Sequence, residues 1–206
     1  MTKDNFFELI SSDEFEGNYG YDDWIDESFI DFFNENNEDQ DVFFEALKFH
    51  PSVLEYVSDQ LKDNYEFMSY SIKKWGKEAF FYCSGRLKNE RNLVLLTIEF
   101  SNETFQDAIL EEVSDSLRND PEIIRYAMFV VLDPHATLEF KYASNELKNN
   151  KSFIIEQLQR FTDSYKNPHW TPNFLQFMSE NLKNDTDFVN ELIDINAKAL
   201  ICLNLK

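Results

Sequence analysis

Glycine and proline are scarce. Four glycines and five prolines in 206 residues leave little material for hairpin turns or a structureless linker, and no stretch sustains the alternation of a strand. Positive charge is short as well. Nineteen Lys and Arg face 39 Asp and Glu, for a net charge of −20 and a pI near 4.4. Non-specific nucleic-acid binding needs a basic field, so direct RNA or DNA binding is not expected, and an anionic membrane surface is disfavoured for the same reason. Long apolar runs are missing: the longest, 127–132, is too short to span a bilayer. Only Cys83 and Cys202 carry thiols, with no CxxC and no His/Cys cluster. They read as small buried hydrophobes in a reducing compartment, and no metal site is expected. There is no Gly-rich phosphate loop and no HExxH, so no cofactor and no catalytic residue is assigned. His50, His135 and His169 are scattered, one near each of three repeat boundaries, and are expected to cap or decorate the surface. The acidic start, Met1 to Glu8, lacks a signal-peptide layout, and a cytoplasmic location is expected.

What the chain does have is aromatic and apolar mass. Hydrophobic residues make up 43% and phenylalanine alone contributes 21 positions, enough for a sizeable core at this length.

That mass is arranged in repeats. Leu138-Glu-Phe140-Lys-Tyr142-Ala143-Ser144-Asn-Glu-Leu147-Lys148-Asn149 has partners at Leu54 to Asp63, Phe80 to Asn89, Leu110 to Asn119 and Leu175 to Asn184, and a decayed copy at Leu200 to Lys206. The closing leucines fall at 61, 87, 117, 147, 182 and 205, intervals of the size that mark stacked repeat architectures. Phe140, Ala143, Ser144 and Leu147 stand at i, i+3, i+4 and i+7, which predicts one helical stripe with the serine on its packed face. Cys202 takes the serine's place in the last copy. The Lys or Arg after each leucine suits a helix C-terminus, and the Asn or Asp beyond it ends one helix or caps the next. Apolar B helices are expected at 65–72, 93–98, 123–128, 153–158 and 188–193, with Pro51 and Pro134 starting B helices too. A motif present in every copy is read as a packing rule, because no single pair of short helices buries its own apolar faces.

The run Leu138 to Asn150, with Lys151-Ser-Phe-Ile-Ile after it, resembles the repeat of the domain-of-unknown-function 4116 family, which reads Leu-x-Tyr-Ala-Ser-x-x-Leu-Lys-Asn-Asp and then a Val/Ile-rich helix. The likeness covers roughly 40–206 and is closest at 138–155. It implies a stack of short helices and offers no reaction or ligand. The expected fold is therefore all-α: a short helical-repeat superhelix, or solenoid, of about six two-helix units over residues 41–206.

Residues 1–40 differ. The first 41 residues hold 14 acids and one lysine, a net of −13, and the other 165 carry −7. This segment is expected to be an acidic cap on the first repeat, a docking segment with aromatic anchors in an acidic field, or both. The candidate contact residues are Asp22, Asp23, Trp24, Asp26, Glu27, Phe29, Asp31, Glu35, Glu38 and Asp39. Residues 161–172 depart furthest from the repeat, with two prolines beside His169 and Trp170; insertions of this kind map to one face of a solenoid, so those two residues form a second candidate. The leading functional expectation is a non-enzymatic protein that presents an acidic repeat surface to a protein partner with a basic surface. The alternative is an inhibitor that imitates nucleic acid, of the anti-restriction or anti-CRISPR type, in the basic groove of a nucleic-acid enzyme. An enzyme, the third reading, would need a pocket of converging titratable groups.

Overall fold

A computed structural model describes residues 1–12, 25, 27–101, 109–129, 134–165 and 170–203, with the backbone alone at 134–137. Every regular element among the described residues is helical, as expected. The chain divides into two compact units, Met1–Ser101 and Asn102–Lys206, taken in turn below.

In the first unit, the phenylalanines decide the packing of the N-terminal helices. Helix α1 (Lys3–Ile10) is capped by Thr2, whose side chain accepts from the Asn5 N–H. Helix α2 (Glu27–Glu35) turns Phe29, Phe32 and Phe33 inward, the i, i+3, i+4 stripe of a buried face. Phe6 stacks on Phe32 at 4.8 Å and meets Phe29 and Phe33 edge-on at 6.3 and 5.9 Å. Phe33 continues the cluster to Phe43 of α3 (Gln40–Ala46) at 5.4 Å and to Tyr56 at 5.8 Å. Burying each ring contributes about 1.5–3 kcal/mol, so these acid-rich helices are held from beneath by aromatic contacts.

The first unit continues through η1 (Pro51–Tyr56), α4 (Asp59–Lys62), α5 (Tyr65–Trp75), α6 (Lys77–Phe80), η2 (Leu87–Asn89) and α7 (Arg91–Phe100). The expected B helices at 65–72 and 93–98 are α5 and α7. Helix α5 stops at Gly76, whose φ is +56°. A Cβ there would lie 2.6 Å from the Phe100 carbonyl oxygen, so glycine both permits the turn and lets the ends of α5 and α7 approach.

The second unit holds η3 (Ile109–Glu111), α8 (Asp115–Arg118), α9 (Pro121–Phe129), η4 (Pro134–Tyr142), α10 (Asn145–Lys148), α11 (Lys151–Ser164), η5 (Asn173–Phe177), α12 (Glu180–Lys183), α13 (Thr186–Ile195) and α14 (Ala199–Cys202). Helices α9, α11 and α13 are the B helices expected at 123–128, 153–158 and 188–193.

The repeat motif itself departs from expectation. It is not one α-helix. Around Ser58, Ser144 and Ser179 a 3-10 segment ends, the serine turns extended with ψ between 147° and 158°, and a single α turn follows. The serine is the N-cap of that turn: the Leu61, Leu147 and Leu182 N–H groups donate to the Oγ atoms of Ser58, Ser144 and Ser179. The apolar stripe is buried as expected, for example Val57, Leu61, Ala143, Leu147, Met178 and Leu182, while the serines are half-buried. A serine oxygen satisfies an orphan N–H better at a helix start than inside one, where it competes with the backbone. Back-bonding to an i−4 carbonyl occurs in the B helices: Ser71 donates to the Phe67 carbonyl and Thr97 to that of Leu93.

Two smaller expectations are corrected. Pro51 and Pro134 open the 3-10 segments η1 and η4 rather than B helices, since a residue lacking an N–H fits the first turn of either helix type. Cys202 does not replace the capping serine; it lies within α14, and its thiol faces the Asn173 Oδ1 at 3.7 Å.

The serines join successive layers. In the first unit, the Ser84 N–H donates to the Lys62 carbonyl at 3.0 Å and its hydroxyl donates to Asp63. In the second unit, Ser144 donates from its N–H to the Arg118 carbonyl at 3.0 Å and from its hydroxyl to Asn119 at 2.5 Å; Ser179 does the same to Lys148 and Asn149 at 2.9 and 2.6 Å. The next Asn or Asp starts the B helix: Asn64, Asp120, Asn150 and Asp185 each accept from the N–H three residues ahead. Thus Ser-x-x-Leu-Lys-(Asn/Asp)-(Asn/Asp) encodes a cap, a buried knob, an acceptor for the following layer and a second cap.

Candidate binding surfaces

Acid surrounds the phenylalanine cluster of the first unit. Asp4, Glu8, Glu27, Asp31, Glu35, Glu38 and Asp41 are exposed on or beside α1, α2 and α3. Glu27, Asp31 and Glu35 repeat at i, i+4 and i+8, so they form one row that rises about 6 Å per step. Their polarity opposes the inward stripe on α2. Asp39 is different. Its Oδ1 accepts from the Asp41 and Val42 N–H groups, capping α3, and Lys3 forms an ion pair with it. The Lys3 hydrogen bond is the largest influence and, helped by the backbone donors, holds its carboxyl below the usual aspartate range against the opposing effect of burial. Asp39 is a cap and a tie between α1 and α3 before it is a contact residue.

Phe29 was expected among the partner contacts. It is 2% exposed and packed on Phe6 and Phe33, so its ring belongs to the core and presents nothing to a partner. Asp22, Asp23, Trp24 and Asp26 lie outside the described residues, as does His169.

Trp170, in the second unit, is half-buried. Its ring meets Tyr165 edge-on at 5.2 Å, and its carbonyl accepts from the Lys198 Nζ at 2.6 Å. These contacts tie Trp170 to Tyr165, just past α11, and to Lys198, just before α14. His50 acts as a cap: its Nδ1 accepts from the Ser52 N–H at 3.1 Å at the start of η1.

The second unit also carries two neighbouring open grooves. One, of about 240 Å³, runs past Arg118, Lys141, Tyr142 and Ser144; the other, of about 490 Å³, runs past Asn149, Phe177, Ser179 and Glu180. They share Asn145 and Lys148, and so trace the seams between layers. Their cations are already engaged. Arg118 pairs with Asp115 at 2.9 Å, the Lys148 Nζ donates to the Lys141 carbonyl at 2.6 Å, and the Lys141 Nζ sits 4.5 Å above the Tyr142 ring. Burial followed by the nearby Arg118 charge lowers the Lys148 pKa.

The thiols are poorly placed for nucleophilic work. Burial pushes the Cys83 pKa up to about 12 and raises that of Cys202, and a thiolate is the reactive form. Among the described residues, no group of three His, Cys, Asp or Glu side chains is placed to hold a metal ion, and no helix is long and apolar enough to cross a membrane.

No curated protein and no solved structure gives a significant match to the chain. A family model does match, over residues 39–88. That stretch starts at Asp39, the cap of α3, and ends at Lys88, so it takes in the Ser58 and Ser84 caps and the Lys62–Ser84 junction between them. The resemblance read from the repeat is thus met at residues 39–88 by the family described as domain of unknown function DUF4116.

Proposed function

We propose that this chain is a non-enzymatic binding protein, a short helical-repeat superhelix of about six two-helix units with an acidic N-terminal cap. It docks through that cap onto a protein partner with a basic surface. What supports the reading is the mounting of the acid: six exposed carboxylates on three helices, with Glu38 between two of them, stand opposite faces that meet in one phenylalanine cluster. Fixed carboxylates in that number raise association rates with a basic surface and set orientation. The 60 residues that follow, 42–101, hold as many bases as acids, so the first unit's net charge comes from its first 41 residues.

One observation favours a sharper version. The row Glu27, Asp31 and Glu35 is a one-sided line of like charges at steps of about 6 Å, which a groove built for a nucleic-acid backbone would accept. On this second reading, the partner is a nucleic-acid enzyme and the chain its inhibitor.

The test is affinity capture on the full chain at low and high salt, beside a Glu27→Lys/Asp31→Lys/Glu35→Lys variant. A basic protein held by the parent chain, released by salt and not held by the triple variant supports docking through the acidic cap. Equal capture by parent and variant would contradict it. Displacement of the captured partner by DNA or RNA selects the second reading.

A further inference from the structure

The two grooves of the second unit lie at consecutive seams of the serine ladder, and the seams spend their amides differently. At both, the serine hydroxyl takes the asparagine oxygen: Ser144 donates to Asn119 and Ser179 to Asn149. At the first seam, the Asn119 Nδ2 then donates to the Glu146 carboxylate at 2.8 Å and closes the joint. At the second, the residue in the register of Glu146 is Asn181. Among the described residues, no acceptor meets the Asn149 Nδ2, and the side-chain amides of Asn145 and Asn181 make no hydrogen bond. All three side chains are exposed and line the groove of about 490 Å³ beside Phe177. A primary amide offers a donor and an acceptor together, which is what a peptide group needs of a partner.

The neighbouring groove carries charge. It gathers Arg118, Lys141 and Lys148 against one acid, Asp115, although residues 102–206 hold 10 bases and 17 acids. Asp115, the carboxylate on Arg118, has a side chain 96% exposed. Lys141 meets a ring and Lys148 a carbonyl, both neutral partners; Glu139 and Glu111 add a weaker pull on Lys141. Burial, and then the Arg118 charge, already works against the charge on Lys148. A carboxylate placed among the three cations offsets that repulsion. Each groove also has an aromatic residue two positions before its serine, Tyr142 in one and Phe177 in the other.

We propose that the two grooves form one track for an extended peptide segment of a partner protein. An acidic side chain of the segment seats among Arg118, Lys141 and Lys148, and its backbone pairs with the amides of Asn145, Asn149 and Asn181. Asn145 and Lys148 line both grooves, so the track is continuous across two layers. At about 8–10 Å per layer, it is roughly 16–20 Å long, which about five or six extended residues span at about 3.3 Å each. A small anion would use the first groove alone and leave the three amides without a partner. A nucleic-acid strand would bring a row of phosphates to a chain of charge −20 and is disfavoured. The proposal is independent of the acidic cap of the first unit and asks for the opposite charge in what it binds.

The probe is a random heptapeptide library displayed on phage and panned on the full chain, followed by titration of the isotope-labelled chain with the enriched peptide. Enriched peptides are expected to carry Asp or Glu and to shift the side-chain amide resonances of Asn145, Asn149 and Asn181. An Asn145→Ala/Asn181→Ala variant and a Lys141→Glu variant are each expected to weaken binding roughly tenfold. None of these side chains carries a bond of the serine ladder, so both variants should keep the parent Tm. A library that yields no enriched peptide overturns the proposal, as does a peptide that leaves the three amides unmoved or binds both variants as tightly as the parent. So does inorganic phosphate that binds the parent and is not displaced by the peptide, because the cations would then serve a small anion.

Discussion

The two units use the same junction with different chemistry. In the first, the side-chain acceptor for the incoming serine is Asp63, which Arg86 also grips: its Nε lies 3.0 Å from the carboxylate and its Nη2 donates to the Asp63 carbonyl at 2.6 Å. In the second, the acceptors are the neutral amides of Asn119 and Asn149. The backbone bond from serine N–H to Lys or Arg carbonyl is 2.9–3.0 Å long at Ser84, Ser144 and Ser179 alike. The invariant part of the joint is therefore geometric, while its charge is adjustable. An amide rung is indifferent to pH and salt, whereas a carboxylate rung depends on remaining ionised.

The largest effects should come from changes that break one unit and spare the other. Phe33→Ala removes the ring that links Phe6, Phe29, Phe43 and Tyr56, with an expected loss of about 3–5 kcal/mol. Hydrogen exchange should show lost protection in α1–α3 and little change in α9–α13. Gly76→Ala should come next. Its Cβ would meet the Phe100 carbonyl at a positive φ, and about 2–3 kcal/mol is expected from strain and displacement together, again confined to the first unit. Ser144→Ala deletes an N-cap and an interlayer donor in the second unit. About 1–2 kcal/mol is expected, read as a shift of the denaturant midpoint with unchanged slope.

The smallest effect is the most informative about the rungs. Asp63 has its pKa held down, first by the Ser84 hydroxyl and then by Arg86. Asp39 is lowered by Lys3 in the same unit, and Asp185 by Lys151 in the other. A carboxyl whose folded pKa lies below its unfolded value of about 3.9 adds stability that is fully present above that value and lost as pH falls through the folded one. Acidification below pH 4 should therefore loosen the Lys62–Ser84 junction before the Arg118–Ser144 junction. Asp63→Asn should flatten that difference while changing little at pH 7. Hydrogen exchange at the Ser84 and Ser144 amides across pH 2–6 checks it.

Much of this was written in the residues, and the gaps have identifiable causes. The B helices followed from apolar spacing and from the Asn or Asp before each. The burial of Phe29 was also available in principle: Phe29, Phe32 and Phe33 keep helical spacing, which points them to one side. The role of the serine was hidden because i, i+3, i+4, i+7 fits both a continuous helix and a 3-10 turn followed by a capped α turn. The usual pointer to a cap, Glu or Gln at the third helical position, is replaced here by leucine, which serves the core. The interlayer bonds could not be read at all, since they join residues 21–31 positions apart whose intervals vary with loop length. Four of the twelve candidate contact residues lie at 22–26, where only Ile25 is described, and His169 falls outside the described residues too.

The central claim is that the serine cap of one layer holds the asparagine of the layer before it. A double-mutant cycle of Ser144→Ala and Asn119→Ala, measured by denaturant unfolding of the full chain, tests it most directly. A coupling energy of about 0.5–1.5 kcal/mol is expected for a hydrogen bond that joins the layers. Strictly additive losses would contradict it and would leave the serine as a local cap alone.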